Sequence, residues 1–443
     1  MTPDLPRDTI FALATAPAKS GVAVIRVSGG QATAALHALT GKTKLAPNRA
    51  SLCSLRHPQS KAIIDQALVL FFQGPKSFTG EDVVEFHTHG SLAIYQELLA
   101  ALSQINGLRP AEPGEFTRRA FLNGKMDLIE AEGLADLIEA ETPKQKDQAL
   151  RQMHGDLSRY YTQLRTQIIT VLAHMEAYID FPDEEIPQSV FDNLTEEVNA
   201  AIATIDQALS DHQAGERLRS GMRVVILGAP NAGKSSLLNR LAKRDAAIVS
   251  QRAGTTRDVI EVHLHIAGYP VILTDTAGLR ESGDDIEEEG IRRALLQAED
   301  ADIRLIVFDG SLLPALDAST QALMDERSLV IINKSDVMPK ASLPSGALVI
   351  STKSGEGIDA LLAAIEAQII KRFSGHAPVI TRHRHRALLQ EALTHLKRFD
   401  AKAPLELSCE ELRISAQAVD KITGKISVDD VLDVIFKQFC IGK

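Results

Sequence analysis

The apolar pattern of the 443-residue chain changes character three times along its length. Residues 1 to about 122 alternate short β-type runs, such as GVAVIRV at 21–27 and ALVLFF at 67–72, with turn-rich connections like GPKSFTG. That mixture predicts an α+β domain. From about 123 to 218, apolar residues recur three and four apart: Leu128, Ala131, Leu134, Ala135 and Ile138, then Leu164, Ile168, Val171 and Met175. This is helical spacing, with a loop at 180–187. At Met222 the pattern switches to strands alternating with helices: MRVVILG, VILTD, IRLIVFD, SLVIIN and ALVIS, with helices after Gly233, from about Ile286 and from Ile358. Such alternation predicts a parallel sheet covered on both faces. Beyond about 377 the chain is helical again, through 386–399, 404–420 and 428–439.

The simplest packing lets this tail complete the earlier helical segment, with the α/β unit inserted between them. The expected architecture is multidomain: an α+β N-terminal domain (1–122), a discontinuous α-helical domain (123–218 and 378–443) and an inserted α/β phosphate-loop domain (219–377).

Composition narrows the class. Apolar residues at 44% and charged residues at 24% are ordinary for a soluble protein, excluding wholesale disorder and collagen-like repeats. No run approaches the roughly 18 apolar residues that cross a bilayer. The segment 10–16 imitates a short signal core, but Asp4 and Asp8 precede it where a basic start belongs. Cys53, Cys409 and Cys440 are too few and too scattered for a disulfide framework or a paired-cysteine metal site. A soluble, cytoplasmic protein with no membrane segment is expected.

The net charge of −10 argues against a uniformly basic nucleic-acid binder, and with aromatics at 4% and no Trp no stacking platform is evident. The acidity is local, however. Residues 123–218 carry 7 basic and 19 acidic groups, while 1–122 carry 12 and 9 and 378–443 carry 11 and 9. A nucleic-acid partner therefore remains open.

The chemistry concentrates in the α/β region. GAPNAGKS at 228–235 fits GxxxxGK[ST] between a strand and a helix, where backbone N–H groups and a helix N-terminus cradle phosphate. Asn231, Ala232, Gly233, Lys234, Ser235 and Ser236 form this loop; Lys234 would reach the β- and γ-phosphates and Ser235 would ligate Mg²⁺. Three further loops follow in order. Gly254, Thr255 and Thr256 offer a hydroxyl to the metal from Thr256. Asp275, Thr276, Ala277 and Gly278 end a strand where Asp275 can hold Mg²⁺ through water. Asn333, Lys334, Ser335 and Asp336 close another strand, and the Asp336 carboxylate can accept two hydrogen bonds from guanine that adenine does not offer. Ser351, Thr352 and Lys353 would back the base. The ordered set resembles small GTP-binding domains. Leu279 stands where Ras-type domains carry the water-orienting Gln, so another group must do that work. The acidic run 284–289 is the nearest source, although most of it reads as a solvated helix start.

Two clusters keep two readings each. His87 and His89 lie two apart on a strand, hence on one face, as a metal pair or as the lining of a polar pocket. The basic run 382–386 (RHRHR) is either a contact for nucleic-acid phosphates or a solvated helix start.

GAPNAGKSS, AGTTRD and DTAGLR, together with the ending FCIGK at 439–443, closely resemble the MnmE (TrmE) family of tRNA uridine-modifying GTPases. SFTGEDVVEFHTHG, RPAEPGEFTRRAFLNGKMDLIEAEGLADLI and IDFPDEEI extend the resemblance over the whole chain. It implies an N-terminal domain that binds a one-carbon tetrahydrofolate, of 5-formyl or 5,10-methylene type, and forms a homodimer. It also implies a GTP-hydrolysing domain activated by K⁺, and a partner of MnmG (GidA) type that carries FAD and joins it in a heterotetramer or larger complex. Together they add an aminomethyl or carboxymethylaminomethyl group at C5 of the wobble uridine of certain tRNAs.

By motif position, Asn231 and the loop of Ser250, Gln251, Arg252, Ala253, Gly254 and Thr255 are the K⁺ and nucleotide contacts, with Asn231, Ser250, Arg252 and Thr255 as K⁺ ligands; Ser235 and Thr256 hold Mg²⁺. Glu287 matches the glutamate that orients the hydrolytic water. Arg26, Glu85, Lys125 and Lys443 match folate contacts. Cys440 matches the cysteine linked to modification, either as nucleophile or acid, or as an inert apolar helix end. A regulatory or ribosome-assembly GTPase without modification chemistry of its own is the competing function.

Overall fold

The computed structural model describes residues 8–180, 188–211, 213–243, 261–275, 298–339, 343–373, 379–400, 403–426, 429–437, 439 and 441–442. The chain divides into two compact units, Met1–Ala135 with Arg151–Arg165 and Ala416–Lys443, and Asp136–Leu150 with Thr166–Ser415.

In the first unit, strands β1 (Thr9–Leu13), β2 (Ser20–Ser28), β3 (Ser51–Arg56), β4 (Ile63–Phe72), β5 (Val83–Gly90) and β6 (Leu108–Pro110) form one sheet in the order β3-β4-β5-β2-β1-β6. Neighbours are antiparallel except β1 and β6. Helices Ala32–Thr40 and Leu92–Ser103 contribute Leu36, Leu39, Leu98 and Leu102 to a core with Ile25, Val27, Val69 and Phe86 of the strands. Because side chains alternate across a strand, the residues between those core positions, Arg26 and Glu85 among them, face the other side. The register sets Arg26 directly opposite Glu85. A second apolar cluster joins Leu128 and Ala131 to Leu432, Ile435, Phe436 and Phe439, carrying the C-terminal helix Asp429–Lys437. Close backbone approach requires glycine at Gly442: a Cβ there would lie 2.2 Å from the Leu13 carbonyl oxygen, at the end of β1.

In the second unit, β7 (Met222–Leu227), β8 (Glu261–Ile266), β9 (Tyr269–Asp275), β10 (Ile303–Asp309), β11 (Ser328–Asn333) and β12 (Leu348–Val349) follow the order β12-β11-β10-β7-β9-β8. All pairs are parallel except β8 with β9. Helices Lys234–Ala242 and Ile358–Phe373 pack on one face through Leu237, Leu241, Leu361 and Ile365, while Ala298, Ala301 and Leu313 cover the other. Burial on both faces explains the apolar run Leu305–Phe308 in β10. The order reverses at β7, and in such sheets ligands bind at the carboxyl ends of the strands beside that reversal.

Helices from before and after this sheet meet in the same unit. The helix Gln188–Leu209 receives Arg386 Nη1 at the Leu209 carbonyl (3.1 Å) and Lys397 Nζ at Asp206 (3.2 Å) from the helix His383–Leu396 and its C-cap. The basic run at 382–386 does begin a helix, with Arg382 as its N-cap and His383 exposed, but its two end arginines are ion-paired rather than solvated. Arg382 pairs with Asp136 at 2.6 Å, and Arg386, buried, pairs with Asp211 and Glu216 at 2.7 Å each. One half-buried and one buried guanidinium, each held by carboxylates, act as structural ion pairs within the fold. No described helix is long and apolar enough to cross a membrane. The loop expected at 180–187 and the helix expected from Ile286 lie mostly outside the described residues.

Candidate functional site

The phosphate-type loop leaves β7 at Gly228 and enters the helix Lys234–Ala242. Its conformation is one that L side chains rarely adopt: Gly228 has φ +154°, Asn231 +63° and Gly233 +99°. A Cβ on Gly228 would meet the Val307 carbonyl oxygen at 2.2 Å, and one on Gly233 would meet Asn333 Nδ2 at 2.1 Å. Glycine at both positions lets the backbone close in while its N–H groups stay available to an anion at the helix start. Lys234 is buried, with Nζ donating to the carbonyls of Gly228 (2.7 Å) and Ala229 (3.0 Å), so its ammonium lies inside the loop's curve. Ser235 and Ser236 are exposed on the first turn, and Ala232 is buried behind them.

Asp275 ends β9 level with Ile226, two residues before the loop begins, and is 2% exposed. A hydroxyl at Ser235 and a carboxylate at Asp275 are hard oxygen donors of the kind Mg²⁺ selects, so this edge of the site suits that ion.

The loops after β11 and β12 meet at the other end of the candidate site. Asn333 is fully buried; its Nδ2 donates to the Ala232 carbonyl (2.8 Å) and its Oδ1 accepts from Thr352 N–H (3.1 Å). Asp336 is exposed and accepts from Ser351 Oγ at 2.7 Å. That bond, against an opposing effect of desolvation and with help from a backbone hydrogen bond and the charges of Lys353 and Lys334, holds its carboxyl below the usual aspartate value. The arrangement presents an ionised acceptor beside a loop able to hold phosphates.

Sequence reasoning missed the support behind this loop. Lys334 adopts φ 66°, ψ 42°, and its Nζ donates to Asp309 Oδ2 at 2.5 Å. Asp309 ends β10 and also accepts from Ser311 N–H (3.0 Å) and Oγ (2.6 Å). No motif includes it, and the only signal was a carboxylate at the end of a buried strand.

In the first unit, Arg26 Nε donates to Glu85 Oε1 at 2.9 Å, and its guanidinium carbon lies 5.6 Å from the Phe78 ring centre and 5.7 Å from that of Phe116. His87 Nε2 lies 3.1 Å from Glu85 Oε2. Lys125 Nζ reaches the Pro75 carbonyl at 2.8 Å and its stem passes 3.5 Å from the space beside Gly80. His89 instead pairs with Asp65 at 2.9 Å, so the two histidines take different carboxylate partners.

Behind Arg26 lies a charged network that sequence reasoning also missed. Ser28 bonds Thr79 and Glu81 at 2.7 Å each; Arg119, 1% exposed, bonds Glu81 and Glu115 at 3.0 Å each; Arg109 bonds Glu115 at 2.6 Å. Burial pushes the Glu115 carboxyl up, but Arg109, the Glu112 amide and Arg119 together outweigh it and hold the group below its ordinary value. The Arg109 guanidinium is correspondingly raised. The available signal was the pairing of acids and arginines in RPAEPGEFTRR.

Residues 250–256, 276–278, Glu287, Cys440 and Lys443 lie outside the described residues.

Two family models match: the GTP-binding protein TrmE N-terminus over residues 9–125 and the MnmE helical domain over 128–440. The chain is 51% identical over 441 residues to the tRNA modification GTPase MnmE of Paramagnetospirillum magneticum, covering 98% of this chain and 100% of that protein. It is equally 51% identical, over the same shares, to that of Parvibaculum lavamentivorans. To the MnmE of Rhodospirillum rubrum it is 49% identical over 454 residues, or 98% of this chain and 99% of the relative.

Proposed function

Because the chain belongs to the MnmE family, we propose that its two sites serve one activity, GTP hydrolysis coupled to modification of the wobble uridine of tRNA. It is a GTP hydrolase of tRNA modification. The observation that carries the assignment of the site is Asn333, whose one carboxamide ties the phosphate-type loop to the loops around Asp336 and Ser351.

In this reading the backbone N–H groups of 231–235 and the Lys234 ammonium hold the β- and γ-phosphates, and Lys234 exchanges its loop carbonyls for phosphate oxygens. Asp336 accepts guanine N1–H and N2–H₂, while Asn333 fixes the distance between the two ends. Ser235, Asp275 and Thr256 hold Mg²⁺, and Asn231 with Ser250, Arg252 and Thr255 holds K⁺. Bound, the two cations would neutralise charge that develops between the phosphates. With Leu279 unable to orient water, Glu287 takes that role.

The Arg26–Glu85 pair is proposed as the folate anchor. A carboxylate accepting from ring N–H groups, and basic groups at Arg26, Lys125 and Lys443 facing carboxylates, match a ligand that carries both. Phe78, half-buried beside Arg26, adds the apolar surface that a flat ring requires, with the buried Phe116 behind the guanidinium. Cys440 serves the modification step; an FAD-carrying MnmG-type partner, a homodimer through 1–122, and a cytoplasmic setting complete the reading. The working division is 1–122, 123–218, 219–377 and 378–443.

The decisive experiment replaces Asp336 by Asn. An amide donates where the carboxylate accepted, so binding is expected to move from GTP to XTP, whose C2 carbonyl replaces the amino group. Retained preference for GTP would reject the site. Hydrolysis faster in K⁺ than in Na⁺, turnover lost with GTP binding kept in Glu287→Ala, and wobble-uridine modification lost in Cys440→Ser at normal protein levels test the remaining assignments.

A further inference from the structure

The loop that presents Asp336 is held in an unfavourable backbone conformation. Lys334 sits at φ 66°, ψ 42°, in the left-handed region that is strained for a residue bearing a side chain. Such a turn persists only where its surroundings impose it. Here the imposing segment is the end of β10. Gly310 approaches so closely that a Cβ would lie 2.6 Å from the Asn333 carbonyl oxygen, and Asp309 takes the Lys334 ammonium at 2.5 Å. Asp309 is itself locked by Ser311, through the backbone N–H and the hydroxyl, and its side chain is 14% exposed. Burial raises its carboxyl and the bonds from Lys334 and Ser311 outweigh that, so it stays ionised for the pair.

We infer that Asp309 is a positioning residue for base recognition: it holds Lys334, and through Lys334 the turn that aims the Asp336 carboxylate. Asp309 touches no nucleotide atom in this role. The inference rests on the reading of the site as a guanine-nucleotide site. It adds that affinity and base selectivity depend on the pair Asp309–Lys334, of which Asp309 lies outside every nucleotide-binding motif of the chain.

The test is nucleotide affinity and steady-state hydrolysis of the full-length chain with fluorescent GDP and unlabelled GTP and ATP, for wild type, Asp309→Asn, Lys334→Met and the double variant. Losing a charge-assisted bond predicts that Asp309→Asn raises the GDP Kd and the GTP KM about tenfold, while kcat at saturating GTP stays within about twofold. The double variant is expected to lose no more than the worse single variant, since both changes remove one interaction. Ser311→Ala, which leaves the ion pair in place, is expected to weaken GDP binding about threefold, the scale of a neutral hydrogen bond. Should Asp309→Asn fold poorly by thermal melting, Ser311→Ala decides alone. Wild-type affinity in Asp309→Asn or, where that variant folds poorly, in Ser311→Ala overturns the inference, as do a loss confined to kcat or additive losses in the double variant. A wild type that binds ATP as tightly as GTP instead overturns the guanine reading and this inference with it.

Discussion

Asn333 donates its side-chain amide to the Ala232 carbonyl over 2.8 Å, joining the loop that follows β11 to the loop that follows β7 across 101 residues of sequence. The same carboxamide accepts from Thr352, so one buried side chain holds three loops in register.

Asn333→Ala should therefore leave the Ala232 carbonyl and the Thr352 N–H without a partner. Each buried, unmade bond costs about 1–3 kcal/mol. The expected result is a lower melting temperature together with weaker GDP binding; unchanged values for both would mean that water replaces the amide at no cost.

Gly233→Ala meets the same amide from the other side. The added Cβ would lie 2.1 Å from Asn333 Nδ2 at a residue with φ +99°. Strain of about 1–3 kcal/mol plus loss of the Asn333 bond predicts a fall in nucleotide affinity of about 100-fold. Titration with a fluorescent guanine nucleotide measures it, and a fall under threefold would show that the loop relaxes freely.

In the first unit, Glu115→Gln weakens the hold on buried Arg119, which keeps only Glu81 as a charged partner. The expected loss is about 2 kcal/mol, less than the roughly 3–5 kcal/mol of a buried pair broken outright. Glu115 is held below its ordinary value near 4.5, so its contribution is complete above that pH and drains away as pH falls through the folded value. Amide-exchange protection of β1 and β6 should separate wild type from variant at neutral pH and converge below pH 4.5. A gap that stays constant with pH would assign the loss to packing.

Arg386→Gln should destabilise the helices of the second unit by about 2–4 kcal/mol, because Asp211 and Glu216 lose their shared cation. The affinity for tRNA and its salt dependence should not change. A salt slope reduced by about one would return Arg386 to the phosphate contacts.

Much of the candidate site was legible in the chain because phosphate binding needs local backbone geometry. Glycines at fixed spacing between a strand and a helix report that geometry directly, and Gly228 and Gly233 do adopt the positive φ the motif requires. The terminal residues of buried strands were legible for the same reason: Asp275 and Asn333 each close an apolar run. Charged clusters were not. The run at 382–386 carried no trace of Asp136, 246 residues away, or of Glu216, 170 residues away, and an arginine beside water and one beside a buried carboxylate have the same sequence signature.

The sequence by itself determined the succession of packing types, the phosphate-type loop, the residues that end the buried strands and the family. Period and spacing express these, since both act over one strand or one helical turn. Only the tertiary structure decided that Arg26 faces Glu85, that Arg119 joins Glu81 to Glu115, and that Lys334 is held by Asp309. Those pairings depend on strand register and on which buried charges reach one another, and desolvation makes a charge inside the fold require a partner whose identity no local pattern records.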